Sequence, residues 1–143
     1  MDPLTYRTVA VNDVSLEVSV TNEGGERGLA LLLHGFPELA FSWRHQIPAL
    51  AADGYEVLAP NLRGYGRSSK PPEVSAYSMD RLLADVAGLV EASGRDSVTL
   101  VGHDWGAAQA WMFAIRRVRP IDRLVIMNGP HPACMRRELR TFR

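Results

Sequence analysis

The 143-residue sequence predicts an α/β protein built on a mostly parallel sheet. Three observations predict it. Leu29–Leu33 is short and wholly apolar, as a strand buried on both faces must be. Strand-like runs at 29–33, 55–59, 97–101 and 121–127 alternate with segments of helical spacing over short connections, the order that gives parallel strands joined by right-handed crossovers. Finally, the run at 97–101 passes directly into Gly102-His103-Asp104-Trp105-Gly106, a glycine-bracketed turn of the kind that joins a strand to a helix.

Each element has its own reason. Tyr6–Val11 and residues 15–20 alternate around Asn12-Asp13, which predicts an opening β-hairpin. The glycine-rich stretch 22–28 is a loop. Residues 42–52 have helical spacing through Trp43, Ile47 and Leu50, with Gly54 as the stop and Pro48 against the pattern. Residues 61–72 are a Gly/Ser/Pro-rich loop. Ser78 is placed to cap a helix running through Leu82, Leu83, Val86, Leu89 and Val90 to Gly94. A helix is expected at 107–117, a strand at Ile121–Met127, and a last helical segment from Cys134 or Met135 onward. The expected division is therefore 1–133 as core and 134–143 as the start of a linking helix.

Composition bounds the function classes. Hydrophobic residues make up 46% and charged residues 22%, an ordinary globular balance. Net charge is zero, so nothing points to a nucleic-acid or membrane-surface partner. Eight arginines stand between Arg116 and Arg143 against Asp122 and Glu138, which reads as solvated helix faces or as an anion-binding surface. With Cys134 as the single cysteine no intramolecular disulfide can form, which suits a reducing compartment. The first residues lack the basic and apolar regions of a signal peptide, so a cytoplasmic location is expected. No pair of histidines stands at metal-ligand spacing, and neither metal nor cofactor is expected.

In parallel sheets the ligand site lies at the carboxyl ends of the strands. His34, Asn61, Asp104 and Asn128 all fall there. Asp104 stands where a strand-to-helix elbow presents its nucleophile. A carboxylate with a pKa of ~3.9 is ionised at neutral pH and can attack carbon without a base. Hydrolysing the resulting ester is different, because water must then be activated, work suited to a histidine. The competing reading of Asp104 is a plain helix N-cap. The loop His34-Gly35-Phe36-Pro37 is placed to supply one oxyanion-binding backbone amide, from Phe36, with Trp105 supplying the other; Pro37 has no N–H to give. His34, Pro37 and His131 are expected to line the pocket, His131 being held rigidly between two prolines. His103 is expected to support the turn and His45 to lie on a helix surface. Gly64 and Gly66 lack the third glycine and the helix start of a phosphate loop, so a structural turn is expected there.

His34-Gly35-Phe36-Pro37-Glu38, Arg63-Gly64-Tyr65-Gly66-Arg67-Ser68 and Gly102-His103-Asp104-Trp105-Gly106-Ala107, in this order, closely resemble the epoxide hydrolases of the α/β-hydrolase fold. The resemblance covers that family's first half, strands one to six of eight. It implies that Asp104 is the alkylated nucleophile, that the Phe36 and Trp105 amides hold the tetrahedral intermediate, and that Phe36-Pro37 is cis. It implies no cofactor and a small-molecule epoxide as substrate. It also implies that the two cap tyrosines, the acid and the histidine base lie beyond Arg143, since Asn128 stands where some relatives place the acid. The chain alone is therefore expected not to turn over epoxide. Haloalkane and haloacid dehalogenases share the aspartate and are the alternative; Phe36, which has no side-chain donor, and Trp105 favour the epoxide. A non-catalytic half-domain acting in assembly is the third reading, with a companion chain or a second copy covering the open sheet edge.

Overall fold

The computed structural model describes residues 4–141. Strands β1 (Tyr6–Val11), β2 (Val14–Thr21), β3 (Leu29–Leu33), β4 (Glu56–Pro60), β5 (Val98–His103) and β6 (Ile121–Met127) form one sheet in the order β1-β2-β4-β3-β5-β6. The opening hairpin is antiparallel and docks antiparallel on β4; β4, β3, β5 and β6 are parallel. The expected mostly parallel α/β architecture is what forms. Four helices accompany it: α1 (Gln46–Ala52), α2 (Met79–Ala92), α3 (Trp105–Ile115) and α4 (Pro132–Thr141).

β3 shows why its apolar run is continuous. Leu29, Leu31 and Leu33 face one core cluster, which Leu83, Val86, Leu89 and Val90 of α2 and Phe113 of α3 complete. Ala30 and Leu32 face the other, with Trp43 and Ile47. Side chains alternate faces along a strand, and a central strand has no solvent face to give to polar residues. Each fully buried leucine here contributes about 1.5–3 kcal/mol.

The differences from the expected elements have local causes. The 42–52 segment divides into a 3₁₀ turn at Ala40–Trp43 and then α1. Pro48 is the third residue of α1, in the first turn, where a backbone N–H has no intrahelical partner to lose. A 3₁₀ turn at Val74–Tyr77, between the expected loop and the helix that Ser78 starts, carried no periodic signal. α3 starts two residues earlier than expected, because Asp104 is itself the N-cap position. α4 starts at Pro132, ahead of the expected Cys134. Its fixed φ suits a first helical residue, and the His131 side chain caps it by accepting the Ala133 N–H at 3.2 Å.

Candidate active site

The sheet order sets the site. The chain leaves β3 for β4 on one side, then crosses back to β5 on the other, so the loops after β3 and β5 flank a crevice at the carboxyl edge. Close packing holds them together. A Cβ on Gly106 would collide with the Leu33 carbonyl oxygen, and one on Gly35 would stand 2.6 Å from the Asp104 Cβ. Only glycine lets the start of α3 lie against the end of β3, and the β3 loop against the elbow.

Asp104 occupies φ 52° and ψ −113°, a conformation that costs a non-glycine residue of order 1–3 kcal/mol. The turn aims its carboxyl outward at the top of the sheet, where the residue is exposed. Oδ1 accepts the Phe36 backbone N–H at 2.9 Å. The Phe36 amide, then the Trp105 amide, hold the Asp104 carboxyl below the usual carboxylate pKa, against the small opposing effect of desolvation. The Phe36 N–H, one of the two backbone donors expected from sequence, is hydrogen-bonded to Asp104, and the Trp105 amide adds its electrostatic pull. The Phe36-Pro37 bond is cis, which is the geometry the resemblance implies.

A cavity of about 640 Å³ opens above Asp104, walled by Phe36, Trp105, Met79, Ala108, Met112 and Leu139. Its wall is largely apolar, so the ionised carboxylate faces a space suited to a neutral, apolar reactant. Asn128 also reaches it, with a positive φ of 52°.

The expected wall residues His34, Pro37 and His131 are not among the residues that line this cavity. His34 is fully buried and bridges two loops. Its Nδ1 donates to the Gly35 carbonyl at 2.8 Å, and its Nε2 accepts the Leu62 N–H at 3.0 Å. That arrangement fixes the neutral tautomer, and burial pushes its pKa down. His131 is the cap of α4 and packs edge-on against Trp111 at 4.7 Å. Asn61 is buried too: its Oδ1 accepts the Ala40 N–H at 2.8 Å and its Nδ2 donates to Glu17 at 2.6 Å. All three are polar residues that tie loops together.

Sequence reasoning missed two features. His103 Nδ1 lies 3.0 Å from Glu38 Oε2, and Glu38 also accepts the Gly35 N–H at 3.1 Å. Desolvation raises the Glu38 pKa, but the Gly35 amide and His103 outweigh it and leave the carboxyl below its ordinary value. This pair braces the β3 loop against the elbow. Both partners lie inside the recognisable motifs, and His103 is the one expected to support the turn, but nothing in the spacing pairs it with Glu38. The second feature is the helical part of the wall: Ala108 and Met112 lie four apart on α3, and Met135 and Leu139 four apart on α4. Neither pair carries any chemical signature in sequence. Among the described residues, no group of three or more His, Cys, Asp or Glu side chains is placed to hold a metal ion. Among the described residues no helix is long and apolar enough to cross a membrane.

Known proteins resemble the chain in sequence and in fold. Epoxide hydrolase A of Mycobacterium tuberculosis (strain ATCC 25618 / H37Rv) is 54% identical over 109 residues, covering 75% of this chain and 33% of that protein. Epoxide hydrolase 4 of Mus musculus is 44% identical over 131 residues, covering 90% and 36%. Among solved structures, epoxide hydrolase VrEH1 from Vigna radiata superposes with a TM-score of 0.82 at 42% identity, covering 89% of this chain and 39% of that one. Epoxide Hydrolase A from Mycobacterium thermoresistibile gives 0.83 at 40% identity, covering 96% and 45%. The chain thus spans less than half the length of each of these relatives. The family model described as the alpha/beta hydrolase fold matches residues 30–142, and the chain belongs to that family.

Proposed function

We propose that this chain carries the nucleophile and the oxyanion-binding amides of an epoxide hydrolase. One observation carries the reading: one oxygen of Asp104 is held by a backbone amide, leaving the other for the apolar cavity above it. In the first step Asp104 Oδ2 attacks a ring carbon of the epoxide. The ring C–O bond breaks, and the ring oxygen leaves as an alkoxide that takes a proton from solvent water, leaving hydroxide in solution. The product is an alkyl ester of Asp104. In the second step water, losing a proton to a base, adds to the Asp104 carboxyl carbon. Negative charge then develops on Oδ1, which already accepts the Phe36 N–H, with the Trp105 N–H as the expected second donor. Collapse expels the alcohol oxygen, releases the diol and restores the carboxylate. Losing one such donor typically costs ~10²–10³ in rate.

The second step asks for a base that the residues described do not place over Asp104, since no histidine lines the cavity. The ester should therefore accumulate on this chain rather than turn over. The dehalogenase reading shares the aspartate but wants a halide-binding side chain, and Phe36 offers only its backbone N–H. The test is to incubate the protein with a terminal alkyl epoxide and, separately, with a haloalkane of the same length, and to follow intact mass and released halide. The expected result is an epoxide-derived adduct on Asp104 without sustained diol release. Faster halide release than epoxide labelling would reassign the chain to a dehalogenase. Sustained diol formation would show that the base is present after all.

A further inference from the structure

A second chamber lies beside the cavity over Asp104. It has a volume of about 280 Å³ and shares Met79 and Trp105 with the first as a dividing wall. Trp105 and Gln109 stand four apart on α3, so they share a helix face. Gln109 lines the second chamber and not the first.

Gln109 is a polar residue where packing alone would want an apolar one. It is only 4% exposed, in a helix whose other buried residues are Gly106, Ala107, Ala110 and Phe113. Its side-chain amide makes no hydrogen bond to any described residue. Among the described residues the sealed side-chain atoms without a partner are Ser19 Oγ and Trp43 Nε1, so the Gln109 amide is not sealed but open to the chamber it lines, where water or a bound group rather than the fold must satisfy it. The rest of the lining shows what kind of partner would suit it. Tyr65 and Tyr77 add phenolic groups. Arg63 also borders the chamber, but its guanidinium is committed: Nε and Nη2 donate to Asp85 at 2.8 Å, Nη1 to the Ala76 carbonyl at 3.0 Å, and Nη2 to Asp13 at 2.9 Å. No uncommitted positive charge therefore faces the chamber from the described residues. The space is about nine times the ~30 Å³ a water takes in the liquid, more than one bridging water would fill.

We propose that this chamber is a substrate subsite, in which Gln109 binds an uncharged hydrogen-bonding group, of the hydroxyl class, at the end of one substituent of the epoxide. This rests on the epoxide hydrolase reading and deepens it. The epoxide reaches Asp104 in the first cavity while its tail passes Trp105 and Met79 into the second. An alkyl tail of the same length would strip water from the Gln109 amide and return nothing, so the subsite discriminates against it. A site built to pair with a hydroxyl rejects the analogue that lacks one. For a single neutral hydrogen bond in a chamber that still meets solvent, the preference should be about threefold to tenfold.

The experiment compares a terminal epoxide bearing an unbranched alkyl tail with its counterpart bearing a hydroxyl at the tail end. The rate of ester formation on Asp104 is read by mass spectrometry for the natural protein and for Gln109→Leu. The expected result is labelling about threefold to tenfold faster with the hydroxyl-tailed epoxide, falling to near equality in Gln109→Leu. Equal rates, or a faster alkyl tail, in the natural protein would overturn the subsite while leaving the epoxide reading intact. If neither epoxide labels Asp104, the epoxide reading fails, and the subsite is judged by binding alone. For that arm Asp104→Asn, with Gln109 retained, is titrated with a primary alcohol of the same tail length while the Gln109 side-chain amide resonance is followed by NMR. A saturable shift supports the subsite, and no shift overturns it. Because this arm keeps Gln109, it also decides the matter if Gln109→Leu fails to fold.

Discussion

Asp104 and Arg63 both sit at the carboxyl edge of the sheet, one at the elbow after β5 and the other three residues beyond the end of β4. Arg63 is fully buried, and every arm of its guanidinium is spoken for, by Asp85, Asp13 and the Ala76 carbonyl. The Asp85 pairing pushes its pKa up, against its own desolvation, which acts to lower it. Asp104 is exposed, strained at φ 52°, and bonded through one oxygen only. The Arg63 network ties the hairpin turn, the β4 loop, the turn before α2 and α2 itself into one body. The Asp104 turn spends stability to present a charge. Within one sheet edge, a charge whose bonds are satisfied marks scaffold, and the exposed charge on a strained backbone is the one we propose for chemistry.

Substitutions at the two positions should separate cleanly. The largest effect is expected from Asp104→Asn, which should abolish the alkyl ester because a neutral amide is a poor nucleophile, while changing stability little; intact mass after epoxide treatment reads the first and chemical denaturation the second. Arg63→Met should do the reverse. Removing one partner from a buried pair leaves Asp85 charged and unpaired, a loss of about 3–5 kcal/mol on denaturant titration. Pairing it with Asp85→Leu should recover much of that loss. If Arg63→Met proved as stable as the natural chain, the scaffold half of the comparison would fall.

Asp104→Gly should stabilise the fold by about 1 kcal/mol, since it relieves strain of order 1–3 kcal/mol and gives back part of it through a freer unfolded chain. A loss of stability would mean that the elbow stores no strain. The smallest effect concerns Glu38, whose carboxyl is held below its ordinary pKa. A depressed folded pKa contributes stability that is fully present above the unfolded value of ~4.3 and is lost as pH falls through the folded one. Glu38 is about a third exposed, so Glu38→Gln should remove no more than about 1 kcal/mol at neutral pH and flatten the acid limb of the stability curve. Parallel acid limbs in the two proteins would show that the pair with His103 contributes nothing.

The same contrast explains what could be read in the sequence. The sheet was legible because burial on both faces leaves a strand no choice but an apolar run, as at Leu29–Leu33. The elbow was legible because close approach of backbones demands small residues at fixed offsets from Asp104. His34 and Asn61 were misleading for the reason Arg63 is instructive. A polar residue at the edge of a parallel sheet can serve the ligand or tie loops together, and its spacing is identical in both cases. Only its hydrogen bonds distinguish them. His131 likewise turned out to cap a helix whose start the sequence placed two residues late. The Arg63–Asp85–Asp13 network and the Glu38–His103 pair bring together residues far apart in the chain, so no periodicity announces them. Gln109 carried no signal because a single glutamine in a helix is unremarkable until its burial is known.

The central claim is that Asp104, presented by the elbow, is the group that reacts. The protein also holds Cys134, an exposed thiol able to open an epoxide without any site, and acidic side chains on its surface. The most direct measurement is therefore peptide mapping after exposure to a terminal alkyl epoxide at pH 5, where Asp104 is ionised, with the Cys134 peptide followed in the same digest. An ester is expected on the peptide containing Asp104, cleaved by hydroxylamine and missing from Asp104→Asn. Labelling confined to Cys134, or spread over surface carboxylates and unchanged in Asp104→Asn, would contradict it.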